Sequence, residues 1–254
     1  MRRIIITGAS SGIGAALVRH YARSGATLGL IARSKSTLEQ LAAQLSTPHQ
    51  IYSVDVRDAL GLQAATADFI ARYGCPDIVI ANAGVSTGTL TELPEDLAAF
   101  KDVLDINVAG MVHTFQPFIG AMRTAGSGTL VGIASVAGFR GLPGAAAYSA
   151  SKAAAIAYLE SLRVELRTSD VKVITICPGY IATPMTAQNP YPMPFILSAD
   201  AAARQIADVI DRGKTFAVIP WQMAIVARVM RALPNWLFDR LFSNAPRKPR
   251  LRRE

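Results

Sequence analysis

Short runs of Ile, Val, Leu and Ala recur along the chain, apolar at odd and even positions alike. They occupy residues 3–7, 27–32, 50–56, 78–82, 129–135, 172–177 and 216–220. A strand that is apolar on both faces is covered from above and below, as in a parallel sheet packed between helices. Longer segments near 13–24, 36–46, 59–73, 95–124, 147–168 and 199–212 carry helical patterns between those runs. Strand–helix alternation from end to end predicts βαβ units, hence an α/β fold with a doubly wound, seven-stranded parallel sheet in a single domain. A chain of 254 residues suits one such domain with a sizeable core.

Two stretches break the rhythm. Residues 180–198 carry Pro184, Pro190, Pro192 and Pro194, which predicts a long structured loop rather than a helix. That loop follows the carboxyl end of a strand, where ligands bind in open α/β sheets. From Trp221 onward the chain is apolar with spaced arginines, and a basic tail follows. The expected division is a catalytic domain over 1–220 and an amphipathic extension over 221–254. Such a segment suits a peripheral membrane contact, an oligomer interface or a roof over a substrate cleft.

Composition narrows the classes. Half of the chain is hydrophobic (51%) and only 17% is charged, which excludes a mainly disordered protein. The net charge of +8 raises nucleic acid as a partner. Five of the basic residues, however, are gathered in Arg247-Lys248-Pro249-Arg250-Leu251-Arg252-Arg253 at the end. A solvated terminal run is expected there, and no nucleic-acid partner. Ile4-Ile5-Ile6 after Met1-Arg2-Arg3 is too short for a signal peptide, and no apolar run reaches the roughly 18 residues of a membrane span. Cys75 and Cys177 have no paired framework, so reduced thiols and a cytoplasmic location are expected. His20, His49 and His113 lack the spacing of a metal site, and no metal is expected.

Chemistry enters at the first turn. Thr7-Gly8-Ala9-Ser10-Ser11-Gly12-Ile13-Gly14 follows the first strand and opens the first helix. Glycines there allow a tight turn and close backbone approach to a pyrophosphate, which helix-start N–H groups then face. A carboxylate at the end of the second strand would accept from an adenosine ribose and repel a 2′-phosphate. The chain instead reads Ala32-Arg33-Ser34-Lys35. Arg33 can pair with a 2′-phosphate, so NADP(H) is favoured, with NAD(H) as the alternative.

Tyr148 and Lys152 are four residues apart at a helix start, hence on one face. A phenol with pKa near 10 is a poor acid or base at neutral pH, and a nearby ammonium lowers it. Ser135 ends the fifth strand, where its hydroxyl can face a substrate oxygen. Asn107 lies mid-helix, where an amide is locally unfavourable.

Together these pieces closely resemble the short-chain dehydrogenase/reductase superfamily, in its single-domain branch of about this length. The matching residues are 7–14, Asp55-Val56, Asn82-Ala83-Gly84, Asn107, Ser135, Tyr148, Lys152, Pro178-Gly179 and Thr183. The resemblance implies a Rossmann-type sheet and hydride transfer between a nicotinamide and a carbonyl carbon. It implies that Tyr148 exchanges the proton with the substrate oxygen and that Ser135 holds that oxygen. Lys152 would lower the tyrosine pKa and bond the nicotinamide ribose, and Asn107 would support a water-linked proton relay. Asp55 and Val56 would bracket the adenine, Asn82-Ala83-Gly84 would line the cofactor cleft, and Ile181 and Thr183 would hold the nicotinamide end. Many NADP-preferring members carry a basic residue in the first turn; Ser10 and Ser11 stand here, so the preference rests on Arg33.

Met185, Tyr191, Met193, Phe195 and Ile196 in the 180–198 loop, with Phe139, Leu142 and Arg140 opposite, suggest an apolar ketone or alcohol. The same side chains could instead pack the loop onto the core. The leading expectation is thus a carbonyl reductase or alcohol dehydrogenase, expected to be a homo-oligomer. The rival class is a dinucleotide-binding sensor or scaffold without turnover, which has no need of both Tyr148 and Lys152.

Overall fold

The computed structural model describes residues 1–250. Seven parallel strands form the sheet: β1 (Arg3–Thr7), β2 (Thr27–Ala32), β3 (His49–Ser53), β4 (Ile78–Ala81), β5 (Gly128–Ile133), β6 (Val171–Pro178) and β9 (Phe216–Ile219). Their order is β3-β2-β1-β4-β5-β6-β9. The order reverses between β1 and β4, the switch point at which a doubly wound sheet opens a crevice. β2 is buried at all six positions, and Thr27 is the one polar residue in it.

Helices cover both faces. α1 (Gly12–Arg23), α2 (Lys35–Ala42) and α7 (Ala199–Asp211) bury Leu17, Val18, Leu38, Ala203 and Ile206 against one face. On the other, α3 (Ala59–Tyr73), α5 (Gly110–Ala125) and α6 (Ala146–Glu165) bury Phe69, Phe115, Phe118, Leu159 and Leu162. At about 25 cal/mol per Å² of apolar surface, these two layers supply the main force holding the sheet.

Several elements differ from the periodicity. The third strand ends at Ser53 rather than at 56, and the fifth at Ile133 rather than at 135. Val54, Asp55, Val56, Ala134 and Ser135 leave the ladder and line the crevice instead. The segment expected as one helix over 95–124 comprises α4 (Asp96–Leu104), a π-helical turn (Asp105–Ala109) and α5. The 180–198 loop holds a small parallel ribbon, β7 (Ile181–Ala182) with β8 (Leu197–Ser198). The amphipathic extension folds as α8 (Trp221–Ala232) and α9 (Asn235–Phe242). No helix among the described residues is long and apolar enough to cross a membrane.

Candidate active site

A cleft of about 570 Å³ opens at the carboxyl ends of β1, β2, β4, β5 and β6. Its floor is the glycine turn. Gly8 and Gly12 have φ of +65° and +52°, which side-chain-bearing residues resist. A Cβ on Gly14 would stand 2.0 Å from the Gly8 carbonyl oxygen, so no side chain fits where α1 crosses the turn. Ser11 is the N-cap of α1 but makes no side-chain bond to the helix, so its hydroxyl leaves the first-turn N–H groups uncapped. An uncapped helix start, a cradle that a Cβ would fill and a cleft of this volume fit a dinucleotide phosphate group.

Thr7 and Asn82 brace that floor from behind. Thr7 Oγ1 accepts from the backbone N–H of Asn82 (3.1 Å) and Ala83 (3.2 Å). Asn82 Nδ2 donates to the carbonyls of Thr7 (3.0 Å) and Gly8 (3.3 Å). Of the expected site residues, Ser10, Ser11, Ile13, Arg33, Asp55, Val56, Asn82, Ala83, Gly84, Pro178, Gly179, Ile181 and Thr183 line the cleft, as do Gly8, Gly12, Ser135, Tyr148 and Lys152. Thr7, Gly14 and Asn107 do not line it; they are buried beneath it.

At the adenine end Arg33 is exposed, and among the described residues no carboxylate forms a salt bridge with it. Lys35 pairs instead with Glu39 at 3.8 Å. Asp55 is engaged by Arg57, which donates from Nε (3.1 Å) and Nη2 (2.8 Å). That guanidinium, with Arg33 beyond it, holds the Asp55 carboxyl below the usual range. Arg57 therefore neutralises Asp55, an acid that also feels Arg33, a role with no sequence signal beyond its place two residues after Asp55.

The catalytic candidates converge where β5 ends and α6 begins. Ser135 Oγ accepts the Ala137 N–H at 3.1 Å, which caps the short turn after β5, and donates to the carbonyl of Pro178 at 3.4 Å in the cleft wall. Lys152 is buried and donates from Nζ to the Ile133 carbonyl at 2.8 Å, 5.8 Å from the Tyr148 ring centroid. Burial pushes this ammonium down to about 8. Burial also raises the Tyr148 phenol, while its hydrogen bond with Ser135 pulls the other way. In the protein alone, desolvation is the largest influence on the phenol.

Asn107 sits in the π-helical turn, and that extra residue turns its amide toward the loop after β4. Oδ1 accepts the Val85 N–H (2.8 Å), and Nδ2 donates to Val85 O (3.0 Å) and Ser151 Oγ (2.9 Å). The unfavourable mid-helix amide is thus a clasp between the loop that walls the cleft and α6.

Three expectations about the substrate end need correction. Arg140 does not face the cleft: it donates to the carbonyls of Met230 (2.9 Å) and Leu233, and its guanidinium lies 4.1 Å from the Phe238 ring centroid. Phe139 packs on the Phe216 ring, 6.2 Å between centroids. Arg140 therefore fastens the C-terminal helices to the domain, and Phe139 packs onto β9. The basic tail is not a solvated end over its described part, because Lys248 and Arg250 bond to residues of the 86–96 region. Arg252 and Arg253 of that run lie outside the described residues. No local pattern distinguishes Lys248 from its exposed neighbours, so only tertiary contacts reveal it.

The fold and this site define a nucleotide-dependent oxidoreductase class, and the comparisons agree. A profile described as short chain dehydrogenase matches residues 2–192. An uncharacterized oxidoreductase of Myxococcus xanthus is 38% identical over 242 residues, covering 94% of this chain and 95% of that one. Among solved structures, an alcohol dehydrogenase from the archaeon Thermococcus sibiricus, complexed with 5-hydroxy-NADP, superposes with a TM-score of 0.76 at 27% identity. It covers 86% of this chain and 96% of its own. Levodione reductase gives 0.78 at 27% identity, covering 88% and 98%. The chain belongs to the short chain dehydrogenase family.

Proposed function

We propose that this protein interconverts a carbonyl compound and its alcohol with NADP(H), using Tyr148 as the general acid/base. The observation that carries the reading is the convergence of Ser135, Tyr148 and Lys152 in one cleft with the uncapped glycine turn. Gly8, Ser10, Ser11, Gly12 and Ile13 would hold the pyrophosphate, Arg33 the 2′-phosphate, and Lys152 with Ile181 and Thr183 the nicotinamide ribose and ring. When bound, the nicotinamide supplies or accepts the hydride.

The chain's own residues handle the oxygen and its proton. Ser135 donates a hydrogen bond to the substrate oxygen and fixes it beside Tyr148. Tyr148 delivers its phenolic proton as negative charge grows on that oxygen, or removes it in the reverse direction. The Lys152 ammonium stabilises the resulting phenolate. Asn107 holds Val85 and Ser151, and so the spacing of the wall and helix that carry these groups. The Thermococcus enzyme complexed with 5-hydroxy-NADP supports the dinucleotide reading, and Arg33 without a carboxylate in salt-bridge distance among the described residues supports the 2′-phosphate.

The test is NADPH absorbance against a panel of ketones and aldehydes. Wild type is expected to turn over at least one. Tyr148→Phe is expected to lose more than about 99% of kcat, within the range of general-acid contributions, while still quenching on NADPH binding. Retained turnover in that variant would refute the mechanism.

A further inference from the structure

The tail crosses the molecule to the catalytic cluster and is built into it. The Gly88 N–H donates to Pro249 O at 2.9 Å, and a Cβ on Gly88 would stand 2.2 Å from Lys248 O. On the opposite side Gly144 lies against Arg247, whose Cβ would be 2.8 Å from a Cβ there. The end is clamped by Arg250. Its Nε donates to Asp96 Oδ2 (2.8 Å), and its Nη2 to Asp96 Oδ1 (3.0 Å) and Glu95 (2.9 Å). The Asp96 side chain is only 6% exposed and also accepts the Leu90 N–H at 2.8 Å. A forked ion pair on a nearly buried carboxylate holds its segment in register.

What the clamp delivers is Lys248. Its Nζ donates to Ser86 Oγ at 2.8 Å and lies 5.9 Å from the Tyr148 ring centroid, almost the separation of Lys152 from the same ring. Among the described residues no carboxylate comes within salt-bridge distance of it. An ammonium has three donors, and here one is used. Half-buried cations without an anion are costly, so an anion brought by a ligand relieves a standing penalty. Burial pushes Lys248 down to about 8, which leaves it mainly charged at neutral pH. One ammonium backed by one hydroxyl matches a monoanion, whereas a phosphate dianion calls for more donors.

We propose that Lys248 determines specificity by pairing with a substrate carboxylate, so that the preferred substrates are oxo acids and the matching hydroxy acids. The proposal rests on the carbonyl-reductase reading above. Tyr148, beside which Lys248 stands, shares its cleft with the exposed Met185, which suits an apolar body attached to that carboxylate.

The experiment compares aryl oxo acids, with the carboxylate one to three carbons from the carbonyl, each beside its methyl ester. Wild type is expected to favour the acid in kcat/KM by at least about tenfold, the lower end of what one charge-assisted hydrogen bond contributes. In Lys248→Met the ratio of acid to ester is expected to fall toward one, chiefly through KM. Lys248→Arg is expected to restore part of it, and Arg250→Ala, which frees the clamp, to lower it without touching the lysine. An absence of acid preference in wild type, or its persistence in Lys248→Met, would overturn the assignment. If NADPH binds but no carbonyl compound is reduced, the reductase reading fails by itself. The same acids and esters are then compared by fluorescence titration of the NADPH-loaded protein. Acid binding that Lys248→Met weakens supports the pairing, and equal binding by both proteins overturns it.

Discussion

Replacing Asn107 with alanine removes three hydrogen bonds at once from a side chain that is 1% exposed. Two of them satisfy both backbone groups of Val85. Each bond contributes a net of about 1 kcal/mol, and each buried group left orphaned costs about 1–3 kcal/mol. Val85 is half-buried, so water can recover part of that loss. The expected destabilisation is therefore about 2–4 kcal/mol, equivalent to a fall in Tm of roughly 5–12 °C for a chain of this size. Because Val85 lines the cleft, the NADPH Kd is expected to rise as well. Thermal unfolding followed by circular dichroism, with fluorescence titration of NADPH, measures both. A Tm within about 2 °C of wild type, an amount this size of chain loses for under roughly 1 kcal/mol, together with an unchanged Kd, would refute the clasp. A loss of turnover under those conditions would instead favour a purely chemical role for the amide.

Other outcomes follow from the same geometry. Arg33→Glu places a carboxylate where no partner opposes the cation, and it is expected to shift the NADPH/NADH ratio of kcat/KM toward NADH by about 10- to 100-fold, as expected for the loss of 1.4–2.8 kcal/mol; an unchanged ratio would assign the 2′-phosphate elsewhere. Lys152 titrates near 8 when folded and near 10.4 when unfolded. At this group the unfolded chain therefore holds more protons between those values, so the Lys152 contribution to stability rises with pH there. Tyr148 and Cys177, its titratable neighbours, are both raised by burial and stay protonated in most of that window. The Tm of Lys152→Met minus that of wild type should thus be largest below pH 8 and narrow toward pH 10; a widening gap would contradict the burial of the charge. Trp221, Ile225 and Val229 are 67%, 52% and 55% exposed at a four-residue spacing on α8. If they form an interface between copies, Trp221→Glu with Val229→Glu should lower the mass measured by light scattering, and an unchanged mass would remove the oligomer reading of this face.

Much of this molecule is legible locally. Strands apolar on both faces specify a covered parallel sheet, and the glycine turn after β1 specifies where an anion can approach, because both depend on neighbouring residues along the chain. Tyr148 and Lys152 are placed together by helical spacing alone. Asn107 shows where local reasoning stops: its oddity in a helix is visible, but its partners lie 22 and 44 residues away. Arg140 follows Ser135 closely enough in sequence to be expected in the substrate wall, yet α8 and α9 fold over it and take its donors. Lys248 is the extreme case. In the sequence it is one charge in a basic run, with nothing in its neighbours to separate it from a solvated end. Only the pairing of Arg250 with Asp96, 154 residues apart, brings it to Ser86 and Tyr148. Periodicity records which face of an element is buried; it carries no record of which distant surface that face meets, and in this protein the composition of the substrate end depends on that meeting.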